Sequence, residues 1–219
     1  MSRSSGAPAP PRVSPPDLPS VLDVVRGLRP RVEVARSDIV DLADAVDATH
    51  ATLEECRIHD AAVASLDMTG ATLVDVHLRD LRATVLTARR ARLRRVRLNG
   101  GRIGTLDLAE SDLDEVELRG IRVDYISLGA AHLRDVLVTD CTIATIDLPQ
   151  ATLARVRFEN STVDEVDTRG LRATDVDLRN LHAGAYTDVS SLRGATLSTV
   201  QVEQLAPALA VAFGIRVSD

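Results

Sequence analysis

Arginine side chains crowd one short stretch of this chain, where they could bind anions. Residues 81–106 hold eight arginines and no carboxylate, and six of the eight lie in the run ARRARLRRVR at residues 88–97. A guanidinium group donates paired hydrogen bonds to carboxylates and phosphates. The cluster therefore predicts binding of an acidic protein, a phosphate group or a nucleic acid. This candidate binding belt consists of Arg82, Arg89, Arg90, Arg92, Arg94, Arg95, Arg97 and Arg102.

A structural role is the alternative for these arginines. Asp80, Asp107, Glu110 and Asp112 lie near the cluster in sequence and could pair with it, which would leave a surface that only keeps the protein in solution. Direct binding of nucleic acid is disfavoured, because aromatic residues make up only 2% of the chain and none is interleaved with the arginines as a platform for base stacking.

Residues that could perform catalysis are not grouped. The sequence contains no Gly-rich phosphate loop, HExxH, CxxC or GxSxG motif, and its five histidines do not cluster. Cys56 and Cys141 are expected to be buried, reduced thiols, because the repeat described below separates them by about 19 Å, and a disulfide requires Cα atoms within about 7 Å. We predict a protein that is not an enzyme, with no catalytic, cofactor-binding or metal-binding residues.

Apolar residues recur at every fifth position from residue 51 to residue 186. The series begins with Leu53, Ile58, Val63, Met68, Leu73 and Leu78 and continues to Val163. A second apolar or small residue stands two positions before each member. Helices and strands have periods of 3.6 and 2.0 residues, so neither explains this pattern. A short, fixed period predicts a solenoid, in which each unit buries its apolar face against its neighbours.

The pattern of five is itself repeated every twenty residues. Six valines stand twenty residues apart at Val76, Val96, Val116, Val136, Val156 and Val176. Positions 51, 71, 91, 111, 131 and 151 are all Ala or Ser. Each side therefore has its own packing rule, and four sides of five residues make one coil.

Several segments resemble the A(D/N)LXX consensus of the pentapeptide-repeat family, for example ATLVD at residues 71–75 and ATLAR at residues 151–155. The likeness extends from about Asp41 to Leu197. The resemblance implies an all-β fold, a right-handed quadrilateral β-helix of about seven 20-residue coils. It also implies a distant likeness to the quinolone-resistance members of the family, which bind DNA gyrase as mimics of duplex DNA.

The negative charge of this chain is about half of what a mimic of duplex DNA would need. Residues 37–190 hold 27 carboxylates and 18 arginines, an excess of nine negative charges. Duplex DNA as long as seven coils, about 34 Å, carries roughly 20 phosphate charges. The candidate acidic face, which the register places on one side of the coil, consists of Asp67, Asp107, Asp147 and Asp167.

Residues 1–36 are expected to form a disordered arm followed by a short helix. Residues 1–30 hold seven of the nine prolines, which predicts disorder over the first dozen residues. A helix ending near Gly27 would cover the open first coil of the solenoid. Its predicted apolar residues, at helical spacing, are Leu18, Val21, Leu22, Val25 and Leu28.

The solenoid is assigned to residues 37–197, with a loop or bulge where the frame slips by one near Asp188–Leu192. Residues 198–219 are expected to form a helix and a short strand. Ser198 and Gln201 have the spacing of a capping box. The helix could cap the last coil or form a homodimer interface, since it is similar to the dimerising C-terminal segment of a member of the family. The candidate interface consists of Val202, Leu205, Leu209 and Phe213.

Composition agrees with a single domain that has a sizeable core, since 45% of the 219 residues are hydrophobic and the mean hydropathy is +0.03. Neither a long apolar run nor a secretory signal is visible, so we predict a cytoplasmic protein without a membrane partner. The function predicted is that of a non-catalytic interaction or scaffold protein with an unknown protein partner. Binding of DNA gyrase is the alternative.

Overall fold

The structure is a computed structural model that describes residues 6–216. The chain winds as a four-sided coil whose sides belong to two parallel sheets. The eleven strands of the first sheet are β1 (Asp23–Arg26), β2 (Glu33–Ala35), β3 (Ser37–Val40), β5 (Thr52–His59), β7 (Thr72–Arg79), β9 (Arg92–Asn99), β11 (Asp112–Arg119), β13 (His132–Thr139), β15 (Thr152–Glu159), β17 (Arg172–Asp177) and β19 (Ala195–Thr196). The eight strands of the second sheet are β4 (Ala45–Asp47), β6 (Ala62–Asp67), β8 (Arg82–Thr87), β10 (Arg102–Asp107), β12 (Arg122–Ser127), β14 (Thr142–Asp147), β16 (Ser161–Asp167) and β18 (Leu181–Tyr186).

Neighbouring coils are in a register of twenty residues through the body of the solenoid. Leu53 lies beside Leu73, and Leu73 lies beside Leu93. The predicted period and the predicted β-solenoid are therefore confirmed. The eight strands of the second sheet mark about eight turns, one more than predicted, because the first turn is built from short strands before the regular repeat begins.

Each turn has four faces of five residues, which we name by the first regular turn: face 1 is residues 51–55, face 2 is 56–60, face 3 is 61–65 and face 4 is 66–70, each with its equivalents at intervals of twenty. The first and third residues of each face point into the core. On face 1 these are Ala51 and Leu53, which are 1% and 0% exposed. Narrow aliphatic ladders thus fill the interior, as the packing rule of each side predicts.

Three of the four corners pass through a residue with positive φ. Asp75 (φ 53°), Asp80 (φ 52°) and Gly70 (φ 68°) are the examples from the second regular turn and its boundary. Asp and Asn adopt this left-handed conformation more readily than other non-glycine residues. Gly101 has a positive φ of 91° and is also required by close packing, since a Cβ there would lie 2.2 Å from the carbonyl oxygen of Leu81 in the preceding coil.

The prediction of an N-terminal helix is wrong, because the same segment contains strand β1 instead. Val25 lies beside Ile39 of β3, and Asp23 lies beside Ser37. The open edge of β3 offers unpaired backbone groups, and β-branched valines suit a strand better than a helix. Residues 6–22 have no regular secondary structure, and residues 1–5 of the predicted arm lie outside the described residues.

At the other end, the predicted break in the repeat is a 3₁₀ helix, Val189–Leu192, capped by the Asp188 side chain. The chain then forms the helix α1 (Thr199–Ala212), whose capping box of Ser198 and Gln201 is confirmed. Pro207 lies inside this helix without ending it. Ile215 is not part of a strand, and the rest of the predicted C-terminal strand, residues 217–219, lies outside the described residues.

Helix α1 covers the last coil of the solenoid. The Gln201 side-chain amide donates to the carbonyl oxygens of Leu178 (2.7 Å) and Leu181 (2.8 Å), which satisfies groups that a further coil would otherwise pair. Leu205 and Leu209 pack partly buried against the core. No helix in residues 6–216 is long and apolar enough to cross a membrane.

Candidate interaction surfaces

Face 4 carries a column of carboxylates that follows the solenoid axis. The register places its members in one line, with no arginine among them: Asp47, Asp67, Thr87, Asp107, Ser127, Asp147 and Asp167. The four residues predicted as an acidic face are thus on one face, and Asp47 extends their column toward the N-terminus. At about 4.8 Å per coil, the column is about 29 Å long.

Turn geometry explains why aspartate recurs in this column. Each carboxylate can accept a hydrogen bond from the backbone N–H two residues later, as in an Asx turn. Such bonds join Asp67 to Thr69 (2.8 Å) and Asp107 to Ala109 (3.1 Å). The residue two positions after Asp147 is Pro149, which has no N–H, and Asp147 accepts instead from the hydroxyl of Tyr125. That bond raises the pKa of Tyr125 to about 12.

The charge of face 4 is neutralised unevenly along the column. Arg89 donates to Asp107 (3.2 Å) and to Glu110 (2.7 Å). Arg169 donates to Asp167 (2.9 Å from Nε) and lowers the pKa of that carboxyl. Asp47 and Asp67 form no ion pair with any residue in the range 6–216. Asp147 also forms no ion pair within residues 6–216, so unpaired negative charge lies at Asp47 and Asp67 in the N-terminal half of the column and at Asp147 in its C-terminal half.

The arginines of the candidate belt encircle the solenoid rather than forming one flat patch. Arg92 and Arg94 lie on face 1, Arg97 on face 2 and Arg82 on face 3. Within the described part of the chain, Arg82, Arg90, Arg92 and Arg94 form no ion pair. The four that do are Arg89 with Asp107 and Glu110, Arg95 with Asp75, Arg97 with Glu117, and Arg102 with Asp124.

A ladder of three arginines runs along face 3. Arg82, Arg102 and Arg122 are aligned by the strand register, so consecutive guanidinium stems start about 4.8 Å apart. They border an open groove whose floor includes Gly101 and Gly104. The predicted belt includes the first two of these arginines. The sequence contained the signal for Arg122, since it stands twenty residues after Arg102, but it lies outside the arginine-rich run.

Asp–Arg pairs occupy the corner between faces 1 and 2. The Arg95 Nε atom donates to Asp75 (2.7 Å), and the Arg155 Nε atom donates to Asp135 (2.7 Å). Asp75 and Asp135 are only 4% and 5% exposed. The arginine beside each holds the pKa of these two carboxyls below the usual range. Sequence reasoning missed this corner, although the two pairs stand sixty residues apart in the repeat frame.

Five residues on each side and twenty in each turn define the architecture without reference to any other protein. The chain is a β-solenoid of five-residue repeats. No model of a known protein family matches it, and no curated protein matches it.

Two solved structures of trypsin-treated QnrB1, a plasmid-mediated fluoroquinolone resistance protein, are similar to the solenoid over 90% of its chain. One is 15% identical with a TM-score of 0.39 and is covered over 100% of its own chain. The other is 14% identical with a TM-score of 0.30 and is covered over 89% of its chain.

The four residues of the candidate dimer interface lie on different sides of α1. Leu205 and Leu209 face the solenoid core. Val202 and Phe213 are 44% and 79% exposed. Val200, Val211 and Ile215 are also exposed and add to an apolar surface at this end of the solenoid.

The buried cysteines lie apart in the core of the solenoid. Both are free thiols, and burial raises the pKa of Cys56 and of Cys141. Residues 6–216 contain no group of three or more His, Cys, Asp or Glu side chains that could hold a metal ion.

Proposed function

We propose that the protein is a non-catalytic interaction protein that binds a basic surface of a protein partner through face 4. The observation that carries this proposal is the column of carboxylates without an arginine member, from Asp47 to Asp167. A line of like charges creates a field that attracts and orients a basic partner. Because Asp47 and Asp67 have no ion partner among the described residues, they would be free to pair with lysine or arginine from the partner.

A matched set of substitutions tests this use of face 4. The variant D47N/D67N/D107N removes three charges, while the amide oxygen of asparagine can still cap the turn. The control D44N/D124N/D164N removes three charges from one column of face 3. We expect a partner captured by the native protein and by the control to be lost with the face 4 variant. Equal capture by both variants would contradict the proposal.

Binding of DNA gyrase is a second candidate, favoured by the alignment of five carboxylates in one column and by the family resemblance. The column supplies five carboxylates over about 29 Å, where one DNA strand of that length carries roughly eight or nine phosphates. Purified gyrase should then lose supercoiling activity in the presence of the native protein and of the face 3 control, and lose less with D47N/D67N/D107N. Full supercoiling activity at micromolar native protein would contradict gyrase binding without contradicting the binding of another basic protein through face 4.

We also propose a homodimer through the exposed side of α1. Apolar side chains such as Val211 (72% exposed) and Phe213 (79% exposed) would be shielded in that assembly. Light scattering should give twice the chain mass for the native protein and the single mass for V211S/F213S. A monomer at tens of micromolar for the native protein would contradict the proposal. Cytoplasmic location remains a prediction of the sequence.

A further inference from the structure

The proline-rich N-terminal arm lies along the corner between faces 1 and 2. Three of its backbone N–H groups donate to carboxylates of that corner: Ala9 to Asp175 (3.2 Å), Arg12 to Asp135 (2.9 Å) and Asp17 to Asp75 (2.9 Å). Ala9 therefore lies toward the C-terminal end of the solenoid and Asp17 toward its N-terminal end. The expectation of disorder over the first dozen residues does not hold for residues 9–12, which take part in these bonds.

The length of the arm between its bonded residues, if the arm is extended, equals the distance along the solenoid between the carboxylates that it meets. Asp75 and Asp175 are five coils apart, about 24 Å at the usual strand spacing. The eight residue-to-residue steps from Ala9 to Asp17 span about 25 Å in a polyproline II conformation. Such a chain needs no internal hydrogen bonds, so its N–H groups are available to the corner.

Each donating residue directly follows a proline that is at least partly buried. Pro8 is buried before Ala9, and Pro11 is half-buried before Arg12. Pro16 is half-buried before Asp17 in the same way. The repeated element of the arm is thus a Pro–X step, in which the proline is shielded and the next N–H donates. Proline also keeps the segment extended, which lowers the entropy lost on docking.

The corner is built to accept these donors. Asp75, Asp135 and Asp175 occupy the same position in their coils and share a left-handed backbone with φ of 53°, 54° and 54°. Arg155 holds Asp135 by two bonds, 2.7 Å from Nε and 2.6 Å from Nη2. Arg95 forms the same bidentate pair with Asp75, through its Nε and Nη2 atoms. A carboxylate fixed by arginine on one side presents its remaining acceptor positions in a defined direction.

We propose that this corner is a peptide-binding site for extended, proline-rich segments with Pro–X steps, and that residues 8–17 of the same chain occupy it. The docked arm shields Asp75 and Asp135 and leaves Arg95, a member of the predicted belt, engaged within the protein. This site is separate from face 4 and does not depend on the function proposed above.

Trypsin cleavage after Arg12 in the full-length, folded protein tests the proposal. Replacing Ala9 and Asp17 with proline (A9P/D17P) removes two donors but keeps the arm extended. The matched control S14P adds a proline and keeps all three donors. Since a hydrogen bond to a charged group corresponds to about a tenfold change in equilibrium, A9P/D17P should be cleaved after Arg12 at least about tenfold faster than the native protein. S14P should be cleaved at the native rate.

Cleavage of the native protein as fast as a free peptide of residues 6–20, or equal rates for A9P/D17P and S14P, would overturn the proposal. A labelled peptide of residues 6–20 supplies a second measurement. Its fluorescence anisotropy should rise with A9P/D17P, whose corner is vacated, and rise less with native protein. No difference between the two proteins would count against a binding site. Protection of Arg12 that is lost on dilution, together with a dimeric mass, would overturn the assignment to the same chain and place the arm on a second copy.

Discussion

Two columns of aspartate follow the axis of this solenoid, and they differ in their surroundings. On face 4, Asp47 and Asp67 accept backbone hydrogen bonds within their own turn and have no ion partner among residues 6–216. At the corner between faces 1 and 2, Asp75 and Asp135 are paired with arginine, buried, and bonded to the arm. The same residue type, in two columns of the same twenty-residue register, thus serves an open charged surface in one place and a closed structural contact in the other.

The difference lies in what the rest of the chain brings to each column. In the corner column, arginine stands one coil after Asp75 and after Asp135, and the arm covers both carboxylates. In the face 4 column, the residues one coil after Asp47 and Asp67 are Asp67 and Thr87, which offer no positive charge. Carboxylates without an ion partner, such as Asp47 and Asp67, are suited to bind a partner, whereas carboxylates paired with arginine, such as Asp75 and Asp135, are suited to hold the protein's own segment.

The largest difference in stability between the two columns is expected when Asp135 is replaced (Asp135→Ala). This change leaves the partly buried Arg155 without its carboxylate and removes the acceptor for Arg12. We expect it to lower the free energy of unfolding by about 2 kcal/mol, because losing one partner of a shielded ion pair costs more than losing a surface pair. Urea unfolding followed by circular dichroism measures the change. A loss equal to that of Asp67→Ala would show that the two columns are equivalent.

The pH dependence of stability should come from the corner column. The pKa values of Asp75 and Asp135 lie below the ordinary value of 3.8, mainly because of Arg95 and Arg155. The stabilisation by these groups is therefore present above about pH 4. It is lost as pH falls through their lower folded-state pKa values. We expect D75N/D135N to be less stable than the native protein at pH 7, and the gap between them to narrow below pH 4. Thermal unfolding from pH 7 to pH 3 provides the test, and a constant gap would exclude these carboxyls as the source.

A smaller effect is expected from the turn caps of face 4. Asp67→Ala should lower the free energy of unfolding by about 1 kcal/mol, because the N–H of Thr69 loses its acceptor. Asp67→Asn keeps an oxygen acceptor and should change stability by less than about 0.5 kcal/mol. Urea unfolding of both variants distinguishes the cap from the charge. If the asparagine variant is as unstable as the alanine variant, the charge and not the cap stabilises the turn.

The smallest effect concerns Asp147, the one member of the acidic column that has a proline two residues later. Its bond with Tyr125 raises the pKa of that phenol to about 12. Burial also raises the pKa of the other tyrosine, Tyr186, to about 12, so ultraviolet titration of the native protein should show both tyrosines ionising near pH 12. D147N should move one of the two ionisations toward pH 10. Tyr125→Phe should cost about 0.5–1 kcal/mol of stability. An unchanged titration in D147N would mean that Tyr125 is not bonded to Asp147.

Much of the body of the solenoid could be predicted because its core is repetitive. The inward positions of each face differ in size from one face to the next, so a period of twenty is visible in Val76, Val96 and their equivalents. The capping box of Ser198 and Gln201 was also readable, since it depends on residues three positions apart. Predictions were weaker for the N-terminus. Val25 was assigned to a helix from local spacing, but the open edge of β3 pairs it in a strand.

The candidate sites depended on contacts that a sequence does not display. Arg89, Arg95, Arg97 and Arg102 look alike in the arginine-rich run, yet each has a different carboxylate partner on another coil. The bonds of the arm cross between 58 and 166 residues of sequence. Nothing in the proline-rich composition itself indicates which surface the arm would cover.

The solenoid follows from the sequence alone, because a core of narrow ladders requires the same kind of side chain at every fifth and twentieth position. So does the acidic column, since residues twenty apart must lie in line. The charges that remain free, and those that pair within the protein, became visible only in the folded chain. Local pattern specifies burial and register, but the pairing of charges depends on distances between coils and on where the N-terminal arm lies.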